Sequence, residues 1–559
     1  MPPPCIIFED DHLLVINKSA GLNTHAPSPF AGEGLYDWLR HREPRWAKLA
    51  IIHRLDKETS GVIVFGKTTA ANRSLTDQFT NRSIQKKYLL LTDRPMKRDE
   101  LIVKSKIARM GERYATSPQG EPAETRFKHV AADVRRLIYP GSAAVSPART
   151  SQLAGETPAL PGGSSHLIEA EPLTGRTHQI RVHAAENGFP ILGDTLYGGS
   201  PFPRVCLHAA EIILKHPLTA EQLIFCAPAN FEEDPREALR TALIDTNETN
   251  AFRLIHGASD GWPGWYVERL GDFLLSQSDS PLNAQQQSRL ESALRAPIRG
   301  VYHKILSRHI RGASATEASP QLVLGEAAPE RFSIRENGLQ FELSFNEGYS
   351  VGIFLDQRDN RRRLLTGHIA ADFPLLNPKL ETRNSKPELL NLFAYTCAFS
   401  VSAAKAGAKT TSLDLSKKYL EWGRRNFALN SLDPAEHDFI YGDAFDWLRR
   451  LAKKSRVFDA IVLDPPTFSQ SKVRGAFRVE KNYGELVSAA LPLLKPEGVL
   501  LASTNAADWP PEKFLATVIA SIRTAKRKTL RQHYVPQPPD FPVSRTEPAY
   551  LKTVWLQVS

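Results

Sequence analysis

Apolar and polar positions divide the chain into stretches with different patterns. Over residues 1–235 the apolar runs are short and separated by charge or by Gly/Pro turns. Leu49-Ala50-Ile51-Ile52, Val62-Ile63-Val64-Phe65 and Tyr88-Leu89-Leu90-Leu91 read as strands, and Ser74 to Arg82 carries helical spacing around Leu75 and Phe79. Thr125–Val130 and His166–Ala170 read as one strand pair. Between them, at 139–165, Pro, Gly, Ala, Ser and Thr dominate without apolar periodicity, which predicts a disordered surface insertion. Its single basic residue, Arg149, makes an RNA-contacting loop the weaker reading.

Pro228-Ala229-Asn230-Phe231 closes this first region, and the charged segment Glu232–Glu237 leads out of it. Around 236–344 the pattern predicts a linker and a small α+β domain. Its opening, Asn250–Gly257 and Asp260–Val267, fits two strands joined by a Gly/Asp/Pro turn. Trp262 and Trp265 suit core packing better than base stacking.

From 345 to 559 strands alternate with helices. Leu389–Phe393, Thr411–Leu415, Phe439–Asp443 and Phe458–Asp464 are short buried strands, and Phe399–Ala406 and Lys417–Asn430 are helices. Such alternation implies a parallel, doubly wound Rossmann-like sheet, which binds ligands beyond the carboxyl ends of its strands. Asp414, Asp443 and Asp464 all fall at that edge. They can cap the following helices. Their spacing also suits a nucleotide-like ligand: Asp414 for two ribose hydroxyls, Asp443 near an adenine amino group, and Asp464 before the rigid turn Pro465-Pro466-Thr467-Phe468, beside a planar substrate. In the first region the charged stretch His53-Arg54-Leu55-Asp56-Lys57-Glu58-Thr59-Ser60-Gly61 lies between two strands, a good way to hold an Asp and an Arg at a fixed place on a sheet.

The 559 residues give room for roughly two to four domains. The net charge of +10 suits a polyanionic partner. Cys5, Cys206, Cys226 and Cys397 are scattered, so the spacing indicates no disulfide framework and no metal site. Met1-Pro2-Pro3-Pro4 opens without a basic, then apolar leader, and no stretch has the 18 or so apolar residues of a spanning helix. The expectation is a cytoplasmic protein with no membrane contact and no obligate protein partner.

His53–Gly61 resembles the signature of the RluA-type pseudouridine synthases. The resemblance extends to Asp11–Lys18 with Gly21-Leu22, Lys86-Lys87-Tyr88, Thr174–His183, Pro190–Asp194 and Leu196-Tyr197-Gly198. It implies a mixed, mostly antiparallel sheet over 1–235. It makes Asp56 the nucleophile, Arg181 the arginine that keeps it ionised, Tyr88 the residue that stacks on the base, and Arg54 the side chain that fills the gap when a uridine flips out. Arg176, His178 and His183 suit RNA contacts or core hydrogen bonds equally. No cofactor is implied for this half.

The rest, from about 250, resembles the RlmI/RlmK-type class I S-adenosylmethionine-dependent ribosomal RNA methyltransferases. Phe345–Tyr349, Gly352–Arg361, Asn391–Thr396 and Tyr550-Leu551-Lys552 carry the likeness. It implies S-adenosylmethionine bound by Phe393, Tyr395, Thr396, Asp414, Ser416, Asp443 and Asp464, with Asp464 also catalytic and Pro465, Pro466 and Phe468 beside the RNA base. The loop Tyr395-Thr396-Cys397-Ala398-Phe399 lacks the glycines that many relatives carry. No cysteine lies in Asp464–Phe468 or Leu500–Asn505, where methylation at cytosine C5 would want a thiolate, so a base nitrogen is favoured; Asp464–Phe468 resembles the group's guanine-N7 methyltransferases, which implies guanine N7 or N2 as the target. The expectation is a bifunctional enzyme acting on large-subunit ribosomal RNA, with a single-activity enzyme on transfer RNA as the alternative substrate reading. The alternatives are a C-terminal half that only binds RNA, or a cytosine-C5 methyltransferase.

Overall fold

The computed structural model describes residues 3–130, 165–306, 319–347, 350–375, 386–471, 475–544 and 546–559. All but the last residue of the 139–165 insertion lies outside them, as do Gly348 and Tyr349.

The N-terminal region is built on one 11-stranded sheet. Its strands are β1 (Ile6–Glu9), β2 (Leu13–Lys18), β3 (Ala50–Ile51), β4 (Ser60–Gly66), β5 (Gln85–Thr92), β6 (Glu100–Met110), β7 (Arg113–Thr116), β8 (Glu121–His129), β9 (His166–Pro172), β10 (Leu207–Lys215) and β11 (Gln222–Cys226). The order is β1-β2-β4-β10-β5-β9-β8-β6-β7, with β3 on β4 and β11 on β10. Among these pairs only β4 and β10 run parallel. All seven residues of β4 are buried, which is why Val62–Phe65 is continuously apolar. The strand pair read from Thr125 and His166 forms, with Phe127 opposite Ala170. Helix α1 (Leu35–Arg42) precedes β3, α2 (Thr69–Thr80) follows β4, and α3 (Gln179–Glu186) follows β9. α2 starts earlier than its apolar spacing predicts because the Thr68 hydroxyl caps it, accepting the Ala71 amide at 3.2 Å.

The charged segment at 232–237 does not remain a linker. Asp234 caps α4 (Pro235–Leu243). Next comes a five-stranded sheet in chain order, β12 (Ala251–His256), β13 (Trp265–Leu270), β14 (Phe273–Ser278), β15 (Gly300–Ile305) and β16 (Gln321–Gly325), with α5 (Ala284–Ala293) crossing between β14 and β15. Trp265 is buried and donates to Ser276 Oγ at 2.8 Å, and Trp262 packs edge-on against it, so both serve the core. A hairpin, β17 (Phe332–Glu336) and β18 (Leu339–Leu343), leads onward to α6 (Arg358–Thr366) and a small pair, β19 (His368–Ala370) and β20 (Phe373–Pro374).

The last region is a seven-stranded sheet: β21 (Glu388–Leu392), β22 (Lys409–Asp414), β23 (Asp438–Tyr441), β24 (Phe458–Leu463), β27 (Leu494–Thr504), β28 (Thr529–Val535) and β29 (Lys552–Val558). The hairpin β25 (Phe468–Ser471) and β26 (Gly475–Arg478) stands apart from it. Helices α7 (Ala398–Lys405), α8 (Lys417–Leu429), α9 (Ala444–Lys453), α10 (Val479–Ala490) and α11 (Pro511–Thr524) alternate with the strands. The order is β23-β22-β21-β24-β27-β29-β28. The first five are parallel as predicted, whereas β29 inserts antiparallel between β27 and β28. Strand order reverses between β21 and β24, the switch point where such sheets open a crevice.

The halves touch. α1 packs on β19, the His368 ring lies 3.2 Å from Arg40 O, and Phe30 meets Tyr534 edge-on at 5.0 Å.

Candidate active sites

The loop from β3 to β4 is fixed by its backbone. Lys18 is fully buried, and its Nζ donates to the carbonyls of Ser19 (3.0 Å), Leu22 (2.7 Å) and Lys57 (3.2 Å). Thr24 Oγ1 donates to Leu55 O at 2.8 Å, and the Thr59 amide closes a turn on Asp56 O at 3.1 Å. Residues 55, 56 and 57 are thus held from both sides. Burial pushes the Lys18 ammonium down to about 7, against the pull of Glu58 and Asp56. Gly61 allows β4 to start here: its φ is +112°, and a Cβ would sit 2.2 Å from Ala209 O.

This loop lines a cleft of about 890 Å³, together with Tyr88 and Lys86 from β5 and the 172–181 segment. Arg181 Nη1 is 4.0 Å from Asp56 Oδ2, and His178 Nε2 is 3.9 Å from it. Arg181 is bound first to Asp194, in a buried bidentate pair at 2.7 and 2.8 Å. His178, in a left-handed conformation at the start of α3, meets the Tyr197 hydroxyl at 2.8 Å through Nδ1. Burial first, then the Asp56 charge, raises the Tyr88 phenol, so it stays protonated. Burial, with Lys86 nearby, pushes His53 down to about 3, and its Nε2 accepts the Val64 amide.

The second centre lies at the carboxyl edge of the seven-stranded sheet. The loop after β21 alternates: Phe393 (φ 59°), Tyr395 (φ 48°) and Cys397 (φ 62°) are all left-handed. Asp414 holds this loop, its carboxylate accepting the Tyr395 amide and the Ser416 amide, each at 2.8 Å. Asp464 Oδ2 accepts from Gln357 Nε2 at 3.1 Å, and the same nitrogen donates to Ser503 Oγ at 2.8 Å. Gln357 Oε1 is in turn held by Asn360 at 2.7 Å. Burial first, and then the neighbouring Asp356 charge, pushes the Asp464 carboxyl up to about 7. Tyr483, fully buried, donates to Leu463 O at 3.1 Å and Ser503 O at 2.9 Å, locking together the ends of β24 and β27.

A family model described as RNA pseudouridylate synthase matches residues 12–186. A second, described as S-adenosylmethionine-dependent methyltransferase, matches residues 280–556. The ribosomal RNA large subunit methyltransferase of Deinococcus radiodurans is 33% identical over 330 residues, covering 58% of this chain and 76% of that protein. The chain belongs to the S-adenosylmethionine-dependent methyltransferases. Its N-terminal part belongs to the RNA pseudouridylate synthases. Ribosomal RNA large subunit methyltransferase I of Klebsiella pneumoniae is 32% identical over 320 residues, 56% of this chain and 75% of that one. A solved chain, human RNA pseudouridylate synthase domain containing 4, is 25% identical over 42% of this chain and 92% of its own, with a TM-score of 0.29.

S-adenosylmethionine is the cofactor of the methyltransferase half and supplies the transferred methyl group. The residues fit such a group. The left-handed conformations at Phe393, Tyr395 and Cys397 shape the loop that follows β21 at the carboxyl edge of the sheet. Asp414 keeps carboxylate lone pairs beyond the two amides it accepts. Two of the residues expected near the cofactor serve as helix caps: Ser416 Oγ accepts the Tyr419 amide, and Asp443 Oδ1 accepts those of Phe445 and Asp446. Thr396 is buried and donates to Gly352 O at 2.6 Å, so it pins the loop rather than facing a ligand. After Asp464, Pro465 is buried, Pro466 is exposed, and Phe468 opens β25 half-buried.

In the pseudouridylate synthase half, Asp56, Tyr88 and Arg181 line one cleft, and Arg54 is exposed on its lip. Arg176 ties the loop to β8, donating to Pro122 O at 3.1 Å beside Glu121. His183 is fully buried between Ser105 and Thr125, a core residue. Sequence reasoning assigned no role to Asp194, Tyr197, Lys18, Gln357 or Ser503. The first four lay inside family-like motifs, which signalled their presence without their partners.

Proposed function

We propose that this protein is a bifunctional RNA-modifying enzyme of three parts. Residues 1–235 isomerise uridine to pseudouridine, 236–344 form the linker and small α+β domain, and 345–559 methylate a base nitrogen, guanine N7 or N2, of large-subunit ribosomal RNA in the cytoplasm. The observation that carries the first activity is the pinned Asp56 facing Arg181 and Tyr88 across one cleft. Asp56 attacks the ribose carbon of a flipped-out uridine. Arg181 stabilises its carboxylate, Tyr88 stacks on the detached base, and Arg54 enters the vacated stack.

In the second site Asp464, Pro465, Pro466 and Phe468 frame the target base, and Phe393, Tyr395 and Asp414 hold the cofactor. Gln357 holds the Asp464 carboxylate at the position where it accepts an N–H of guanine. Nitrogen is favoured over cytosine C5 by the state of Cys397. Its sulfur is fully buried, a Cβ on Gly423 would lie 2.4 Å from it, and burial pushes its thiol up to about 12. It is no nucleophile, and Cys5, Cys206 and Cys226 belong to the other half.

Nucleoside mass spectrometry and base-resolution mapping of large-subunit ribosomal RNA, with and without the protein, test both activities. Loss of one pseudouridine and one methylguanosine in its absence is expected. Loss of 5-methylcytidine instead would overturn the choice of atom, loss from transfer RNA the choice of substrate. Calorimetry with S-adenosylmethionine separates the enzyme from an RNA-binding module, which would take up no cofactor.

A further inference from the structure

At the centre of the seam between the halves, three groups from distant parts of the sequence converge. Glu33 precedes α1, His41 is near the end of α1, and His533 lies in β28. One donor atom from each lies within 4.8 Å of the other two. The two imidazole rings are 4.3 Å apart between centroids, tilted by 55°. Glu33 Oε1 and His533 Nε2 are buried and have no hydrogen-bond partner among the described residues. A buried polar atom without a partner is unfavourable and calls for an explanation. With Glu33 ionised and the His533 proton on Nδ1, both atoms offer electron pairs, and a cation between them satisfies both.

We propose that Glu33, His41 and His533 bind a divalent transition-metal ion of the zinc type, tying the N-terminal half to the C-terminal half. Two imidazoles and a carboxylate are a ligand set such ions accept, with solvent completing the coordination. Two neighbours compete with the ion. Arg363 Nη2 is 3.6 Å from Glu33 Oε1, beyond hydrogen-bond distance, and its Nε and Nη1 are already engaged by Ile369 O and Asp359 O. His41 Nδ1 accepts the Ala371 amide at 3.2 Å. The ion therefore takes His41 Nε2, the ring proton moves to Nδ1, and the Ala371 contact opens. Metal bonds of about 2.0–2.2 Å draw the three donors inward. The site is structural and lies apart from both reaction centres.

The test uses full-length protein stripped by a chelator, titrated with zinc chloride by calorimetry and with cobalt(II) chloride by visible absorption. One saturable site per chain is expected. Its affinity should fall at least tenfold in Glu33→Gln and in His533→Ala and be unchanged in His216→Ala, a histidine paired with Asp10 elsewhere. Anomalous scattering from zinc-soaked crystals gives a readout independent of whether the variants fold, with a peak expected among the three side chains. A peak elsewhere, no saturable binding, or affinity unchanged in both variants would overturn the proposal.

Discussion

Asp464 gives the sharpest test, because its raised carboxyl sets function against stability. Its ordinary value near 3.8 is pushed to about 7, chiefly by burial. The shift of roughly three units corresponds to about 4 kcal/mol, an upper bound on what the ionised group costs the fold above neutrality. The sign follows from proton binding: the folded state holds this proton more tightly than the unfolded state. The contribution to stability is therefore full below 3.8, declines as pH rises toward 7, and is gone above it. Between pH 8 and pH 5 the group alone should make the wild type more stable by roughly 2–3 kcal/mol. Asp464→Asn keeps an oxygen for Gln357 and removes the titration. It should abolish methyl transfer and be more stable than wild type at pH 8, an advantage that shrinks at pH 5. Urea unfolding of both proteins at the two pH values measures this. An Asp464→Asn protein destabilised equally at both would refute the reading of Asp464 as a buried carboxyl that holds its proton in the folded state. In the wild type, kcat/KM for methyl transfer should rise about tenfold per pH unit up to about 7 and then level off, since only the ionised form accepts from the base.

Three further outcomes follow from the first site. Asp56→Asn should remove pseudouridine formation and leave methyl transfer intact; loss of both in a folded variant, measured on the same transcript, would contradict two separate centres. Lys18→Met strips three carbonyls of their shared donor, so it should cost about 1–3 kcal/mol and slow pseudouridine formation more than methylation, read by melting curves and paired assays. Gly61→Ala combines a left-handed φ with a Cβ 2.2 Å from Ala209 O, and should destabilise by more than about 2 kcal/mol in denaturant unfolding, more than Gly111→Ala at an open left-handed turn.

What was legible in the sequence depended on how each element earns its stability. β4 and β24 are apolar because they are buried on both faces, and their limits fall within a few residues of the expected ones. α2 and α8 have periodic faces and capping residues. α6 has neither. Its sequence, Arg-Asp-Asn-Arg-Arg-Arg-Leu-Leu-Thr, shows no apolar stripe, yet its first seven residues are buried. Periodicity assumes that burial means apolar, and here burial is bought by pairing. Likewise, Arg181 reads from sequence as the partner of Asp56, but its bidentate bond goes to Asp194, a competition only the fold reveals. The Glu33, His41 and His533 cluster escaped for a simpler reason: ligand-spacing rules see neighbours in sequence, and these residues come together only when the two halves dock.

α6 also connects the two centres. Its four arginines reach different parts of the protein. Arg358 binds Asp540 at 2.6 Å, and Arg361 binds Glu336 at 2.6 Å. Arg362 reaches Arg42 O and Glu43, and Arg363 faces Glu33, both contacts across the seam to the N-terminal half. The residue immediately before α6 is Gln357, which holds Asp464, and Asn360 within α6 holds Gln357. The helix that docks the pseudouridylate synthase half is therefore continuous with the side chains that position the methyltransferase carboxylate. A nine-residue helix anchored by buried ion pairs cannot shift at one end alone without leaving charges unpaired. The placement of the N-terminal half and the geometry at Asp464 are thus set by the same rigid element.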